Sequence, residues 1–133
     1  MIIKIAKKFL PLTLAVFLLI FASCSKRISF LKITPKDALD LLKGDKKAVL
    51  IDVRTEEEYR LIRIPGSLLI PDYEIREKFE KAVPDKNTPI ILYCTDGTRS
   101  ANAAKILVEM GYTKVFDLGG ILDWPYDTDG EDV

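Results

Sequence analysis

The 133-residue sequence contains no histidine. That absence removes the Cys–His and Ser–His couples on which many hydrolases depend, and with them the commonest side-chain metal ligand. Cysteine is scarce too: Cys24 and Cys94 are the only two, so a closed structural zinc site has no ligand set. Nor is there a surplus of either charge, with 20 basic and 20 acidic residues. Their placement is uneven, because Lys4, Lys7 and Lys8 sit in a first segment without acids. Leaving out the residues before Cys24, the chain carries 17 basic and 20 acidic side chains, a net of −3. A mildly acidic domain gives no reason to expect a nucleic-acid partner. Repeats and low-complexity linkers are also missing. What is present is a length suited to one domain, with 48% apolar and 30% charged residues, a composition that folds.

The first segment reads as an address. Met1–Lys8 is basic, Phe9–Ala22 is apolar and uncharged, and Ser23 and Cys24 follow, which is the order of a secretory signal. The uncharged stretch from Phe9 to Ser25 is 17 residues, at the low edge of the ~20 that span a bilayer, and it contains Pro11. Phe21-Ala22-Ser23-Cys24 resembles the bacterial lipoprotein signal, with phenylalanine where leucine is usual. The resemblance implies removal of residues 1–23, lipid on Cys24, membrane attachment through that lipid, and an exported cell-envelope lipoprotein. Ser25, where an aspartate does not stand, implies outer-membrane sorting, or a periplasmic face, in a Gram-negative source. With Cys24 acylated, Cys94 is the one remaining thiol, and an unpaired cysteine in an exported chain calls for a reason.

Residues 24–29 read as a tether, 30–126 as the domain and 127–133 as an acidic, frayed tail. Phe30–Ile33 suits a first strand. Thr34-Pro35-Lys36-Asp37 opens a helix that Gly44 ends. Ala48–Ile51 is a short buried strand. Thr55-Glu56-Glu57-Glu58 is a capping box opening a brief helix through Leu61. After the Ile64-Pro65-Gly66 turn come a strand at Leu68–Ile70 and a helix over 73–83. Pro89 introduces a second buried strand, Ile90–Tyr93, that stops at Cys94; Ser100–Met110 is a helix ended by Gly111. Val115–Leu118 is another strand, with a last turn around Ile121 and Trp124. Alternation of strands and helices predicts an α/β fold with a mostly parallel sheet covered on both faces. Ligands in such sheets bind at the carboxyl ends of strands, where Cys94 lies.

The thiolate is the sulfur nucleophile, and a free cysteine is mostly protonated at neutral pH. A loop running from a strand into a helix start can aim its amides and the helix dipole at the sulfur. Gly97 permits the left-handed backbone that a tight anion cradle needs. Thr95, Thr98 and Ser100 add hydroxyls, and Arg99 adds a permanent cation. The loop is therefore expected to favour the ionised thiol and to hold a sulfur-bearing anion. Asp96 pulls the other way, and a carboxylate facing the pocket weakens attraction for a dianion such as thiosulfate.

The ordered set Cys94-Thr95-Asp96-Gly97-Thr98-Arg99-Ser100 resembles the active-site loop of rhodanese domains. Leu50–Tyr59, Ile64–Ser67, Gly111-Tyr112, Asp117–Ile121 and Trp124 resemble further segments of that family, so the likeness spans about residues 30–126. Where the family often has glycine-histidine before its Ile-Pro-Gly turn, this chain has Ile62-Arg63. The resemblance implies a rhodanese-like, five-stranded fold and a sulfurtransferase. Cys94 takes a sulfane sulfur from a small-molecule or protein donor, becomes a persulfide, and passes the sulfur to a thiophilic acceptor. Arg99 and the loop amides steady the charged sulfur, with Thr95, Asp96, Gly97, Thr98 and Ser100 around the substrate. Asp52 and Arg54 match positions credited with charge-paired support, here read as a structural salt bridge. No metal or organic cofactor is implied, and oligomeric state is open.

Two rivals are weighed. Tyrosine phosphatases also use a cysteine–arginine loop, but theirs holds one residue more than the four between Cys94 and Arg99, and the shorter loop suits a sulfur atom better than a phosphoryl group. The other rival is a weakly active or non-catalytic rhodanese-like module that carries persulfide or senses thiols on the cell envelope.

Overall fold

A computed structural model describes residues 29–131. The leader and Cys24 lie outside the described residues. Five strands run in the order β1 (Leu31–Lys32), α1 (Pro35–Gly44), β2 (Val49–Asp52), α2 (Glu56–Leu61), β3 (Leu68–Leu69), α3 (Ile75–Ala82), β4 (Ile90–Cys94), α4 (Thr98–Glu109) and β5 (Val115–Gly120), the helices interleaved. The strands form one sheet in the spatial order β1-β5-β4-β2-β3, and every pairing is parallel. No helix among the described residues is long and apolar enough to cross a membrane.

Local chemistry explains where the helices start. Thr34 and Asp37 close a capping box on α1, each taking the other's amide at 3.2 Å. Thr55 and Glu58 do the same for α2, at 3.3 and 2.9 Å. The helix expected over 73–83 is divided: a 3₁₀ turn spans Asp72–Glu74 directly after Pro71, and α3 begins at Ile75.

The sheet is packed on both faces, as expected. Ile90, Leu92 and Cys94 face α3 and α4, among Ile75, Phe79, Ala103, Ala104 and Leu107. Ile91 and Tyr93 point to the opposite face, with Ala38, Ile64, Leu118 and Ile121. All five residues of β4 are fully buried, so β4 is the spine of the fold. Its neighbours in the sheet are β2 on one side and β5 on the other. The chain passes outward from β2 to β3 and then returns across β2 to β4, which opens a crevice at the carboxyl ends of those strands.

The tail departs from expectation. As far as Glu131 it is tied down, not frayed: Asp129 exchanges backbone hydrogen bonds with Arg63 at 2.8 and 2.9 Å, and the Glu131 amide reaches the Arg60 carbonyl at 2.9 Å. A Cβ on Gly130 would run into the Leu61 carbonyl, so the tail lies flat against the end of α2 because residue 130 has none.

Candidate active site

β4 alternates its side chains, and that alternation sends Cys94 to the α3/α4 face at the carboxyl end of the sheet. The chain then turns within three residues and enters α4 at Thr98, two residues before the expected start at Ser100. Two features cause the early start. Gly97 takes φ +97°, which reverses the chain. Asp96 Oδ1 accepts the Thr98 amide at 2.9 Å, a cap on the first free donor of the helix.

The result is a curl around the sulfur. The Gly97 amide donates to Sγ of Cys94 at 3.0 Å and the Ser100 amide at 3.4 Å. Both point the positive ends of peptide dipoles at one atom, and Cys94 is fully buried beneath them. The ring is smaller than the sequence suggests, because Asp96 takes the Thr98 amide out of it. That carboxylate oxygen is itself 3.9 Å from Sγ. The Thr98 amide holds the Asp96 carboxyl below the usual carboxylate range, so it is charged at neutral pH. Asp96 also borders a cavity of about 380 Å³, shared with Lys32, Thr98, Asp117 and Asp123.

The remaining loop side chains are committed elsewhere than expected. Arg99 is not aimed at the sulfur. Its two terminal nitrogens each donate to an oxygen of Glu58 at 2.9 Å, and Nη2 also reaches Thr95 Oγ1 at 3.0 Å. Thr95 Oγ1 in turn donates to Glu58 Oε1 at 3.1 Å. This triangle clasps the loop to the first turn of α2. The Arg99 hydrogen bonds hold the Glu58 carboxyl far below the usual range, and Glu58 raises Arg99 correspondingly. Ser100 gives its hydroxyl to the buried Asp117 at 2.7 Å, leaving its oxygen 3.6 Å from Sγ as an acceptor of the thiol proton.

Glu58 and Asp117 are the two residues that sequence reasoning missed as part of the site. Glu58 was visible as a capping-box acid and as part of the family-like segment Leu50–Tyr59, in neither case as a partner of Arg99. Asp117 was visible only as part of a family-like segment, and 17 residues separate it from Ser100. Gly119 and Gly120 form the floor. In the pairing of β4 with β5, Leu92 faces Asp117 but Tyr93 faces Gly119, so Leu118 is an extra residue on β5. That bulge slides Gly119 and Gly120 beneath the loop. A Cβ at Gly97 would stand 3.3 Å from Gly119 Cα, and one at Gly120 would collide with the Thr95 carbonyl.

Asp52 and Arg54 form a buried pair behind the loop. Arg54 Nη2 donates to Asp52 Oδ2 at 2.7 Å and to the Ile62 carbonyl at 2.6 Å, with the guanidinium 5.7 Å from the Tyr93 ring centre. The Tyr93 hydroxyl accepts the Ile64 amide at 3.1 Å and meets Ser67 Oγ at 3.0 Å. These bonds fasten the Ile62–Ser67 turn to the carboxyl ends of β2 and β4, and neither Asp52 nor Arg54 hydrogen-bonds the sulfur. Asp52 and Arg54 are thus an ion pair internal to the fold.

Comparison with known proteins accords with this geometry. Thiosulfate sulfurtransferase PspE of Escherichia coli is 45% identical over 73 residues, which cover 55% of this chain and 70% of that protein. Thiosulfate sulfurtransferase GlpE of Coxiella burnetii is 34% identical over 94 residues, covering 70% and 85%. Among solved structures, a rhodanese with anions from E. coli superposes with a TM-score of 0.60 at 39% identity, over 63% of this chain and 99% of that one. The model of the rhodanese-like domain matches residues 34–126, which takes in every element from α1 onward, and the chain therefore belongs to the rhodanese-like domain family.

Proposed function

We propose that this protein is a rhodanese-type sulfurtransferase in which Cys94 carries the sulfur in transit. The observation that carries the reading is the pair of amides, Gly97 at 3.0 Å and Ser100 at 3.4 Å, converging on one buried sulfur at the end of β4. Such donors stabilise charge on that sulfur, whether it is the starting thiolate or the outer sulfur of a persulfide growing from it. In the first half-reaction the Cys94 thiolate attacks the outer sulfur of a donor. A new sulfur–sulfur bond forms, the donor's own bond breaks, and its electron pair leaves with the remainder of the donor. In the second, a thiophilic acceptor attacks the outer sulfur and expels the Cys94 thiolate. Glu58, Arg99 and Thr95 position the loop, and Asp52 and Arg54 support the turn behind it. The thiosulfate sulfurtransferase names of its relatives in E. coli and C. burnetii support the same class.

Two observations favour a second reading, a persulfide carrier or thiol sensor with little turnover: Cys94 is fully enclosed, and Glu58 has neutralised the loop's cation. One experiment separates them. The purified protein is exposed to thiosulfate, a thiosulfonate or a persulfide, and its intact mass is measured before and after cyanide. Gain of one sulfur, its loss to cyanide with repeated cycling, and no gain in Cys94→Ser support the transferase. Gain without cycling supports the carrier, and no gain with any donor sinks both.

The same proposal extends to location. Residues 1–23 act as a leader and Cys24 receives lipid, so that the sulfur site works at the surface of a cell-envelope membrane. The basic-then-apolar order ending in Phe21-Ala22-Ser23-Cys24 supports this. Cys24→Ser should abolish labelling by a fatty acid and release the protein from membranes; labelling that persists in the variant retires the idea.

A further inference from the structure

Sulfane donors differ in charge. Thiosulfate is a dianion, whereas an organic persulfide or thiosulfonate carries a single negative charge or none. The surroundings of Cys94 are poorly suited to the dianion. The loop's cation is spent on Glu58, whose oxygens both lie 2.9 Å from Arg99. Asp96 has no such neutralisation and lies in no ion pair among the described residues. Its Oδ1 stands 3.9 Å from Sγ and occupies the Thr98 amide, a donor that an oxyanion at the head of α4 would otherwise use. Arg99, Glu58 and Asp96 together therefore carry one net negative charge before the thiol ionises. Across the adjoining cavity Lys32 is outnumbered by Asp117 and Asp123.

We propose that Asp96 is a charge filter that sets the donor class of this site, favouring sulfane donors with at most one negative charge over thiosulfate. The proposal rests on the reading of Cys94 as the sulfur carrier. Repulsion between fixed and incoming charge scales with the donor's charge. An organic donor also needs fewer amides than a sulfonate with three oxygens. The chemistry is otherwise the same. The Cys94 thiolate bonds to the donor's outer sulfur, and the electron pair of the broken bond leaves as sulfite from thiosulfate or as methanesulfinate from methanethiosulfonate. No outside oxidant or reductant enters.

Thiosulfate and methanethiosulfonate make the test, because they differ by one methyl for one charged oxygen. Rates of single-sulfur gain are measured by intact mass on the full chain, for the native protein and for Asp96→Asn. The asparagine keeps an oxygen for the Thr98 amide, so the loop's shape is retained while the charge goes. The expected result is that the native protein loads faster from methanethiosulfonate, and that Asp96→Asn raises the thiosulfate-to-methanethiosulfonate rate ratio about tenfold. Added salt should raise the same ratio in the native protein and leave it nearly flat in the variant. A ratio that Asp96→Asn leaves unchanged, with both donors still loading, overturns the filter and spares the transferase. Failure of the native protein to load from either donor overturns the transfer reading itself, and the filter with it.

Discussion

Glu58 does two jobs with one carboxylate. It completes the capping box of α2 by accepting the Thr55 amide at 2.9 Å, and it holds Arg99 through both oxygens. A planar guanidinium matched to a planar carboxylate fixes direction as well as distance, so the first turn of α2 sets where the loop stands. Both side chains are about one-third exposed, at 34% and 32%, and solvent screens the pair. Glu58→Gln should therefore destabilise the protein by only about 1 kcal/mol, seen as a lower melting temperature. The pH dependence has a definite sign. Glu58 ionises more readily folded than unfolded, so its contribution is complete above the ordinary carboxylate value of 4.5 and is lost as the pH falls from there toward the depressed folded value. The gap in melting temperature between native protein and Glu58→Gln should shrink in acid. A gap that stays constant across that window would mean the clasp is not electrostatic.

At the scale of elements, the site depends on how β5 lies against the loop. The extra residue Leu118 lets β5 present Gly119 and Gly120, instead of two side chains, to the curl around Cys94. Gly120→Ala places a methyl against the Thr95 carbonyl and 2.9 Å from Asp96 Cα. Both neighbours are backbone, so one of the two segments must move. The expected cost is about 1–3 kcal/mol, the range for overpacking a closed contact, measured by urea unfolding. Displacing Thr95 and Asp96 also opens the shell over the sulfur. Alkylation of Cys94 by iodoacetamide should speed up while sulfur loading slows. A variant that loads normally would show that the close approach of loop and β5 is not needed. The helix start at Thr34 and the capping box at Thr55 were legible in the sequence because each joins residues three apart. The bulge was not, since nothing in Val115–Gly120 distinguishes a continuous pairing from one that skips a residue.

For the molecule as a whole, the parallel sheet in the order β1-β5-β4-β2-β3 brings the carboxyl ends of β2, β4 and β5 together at one end of the sheet. The tail closes the same side. Asp129 pairs with Arg63, and Glu131 with Arg60, at the end of α2, the helix that carries Glu58. Gly130→Ala should free this segment, because its methyl meets the Leu61 carbonyl. The loss of global stability should stay below about 1 kcal/mol, since the contact is exposed. Faster hydrogen exchange at the Arg63 and Asp129 amides is the sensitive measure. Unchanged exchange would mean the tail holds through side chains instead.

The sequence by itself determined the alternation of strands and helices, the helix starts, and a cysteine at the end of a buried strand beside a glycine that turns the chain. These are signals of short range: hydrogen bonds across three residues, apolar runs, and the φ +97° that Gly97 adopts readily. The tertiary structure alone decided which way each charge points. Ile90–Tyr93 is apolar throughout, so no pattern in it told which face Cys94 joins; the packing of α3 and α4 did. Arg99 was expected at the sulfur and is held by Glu58, 41 residues away. The Ser100 hydroxyl was expected to donate to it and is held by Asp117. A charged or hydroxyl group takes the strongest partner within reach in space, and the chain's order does not record which partners folding brings within reach.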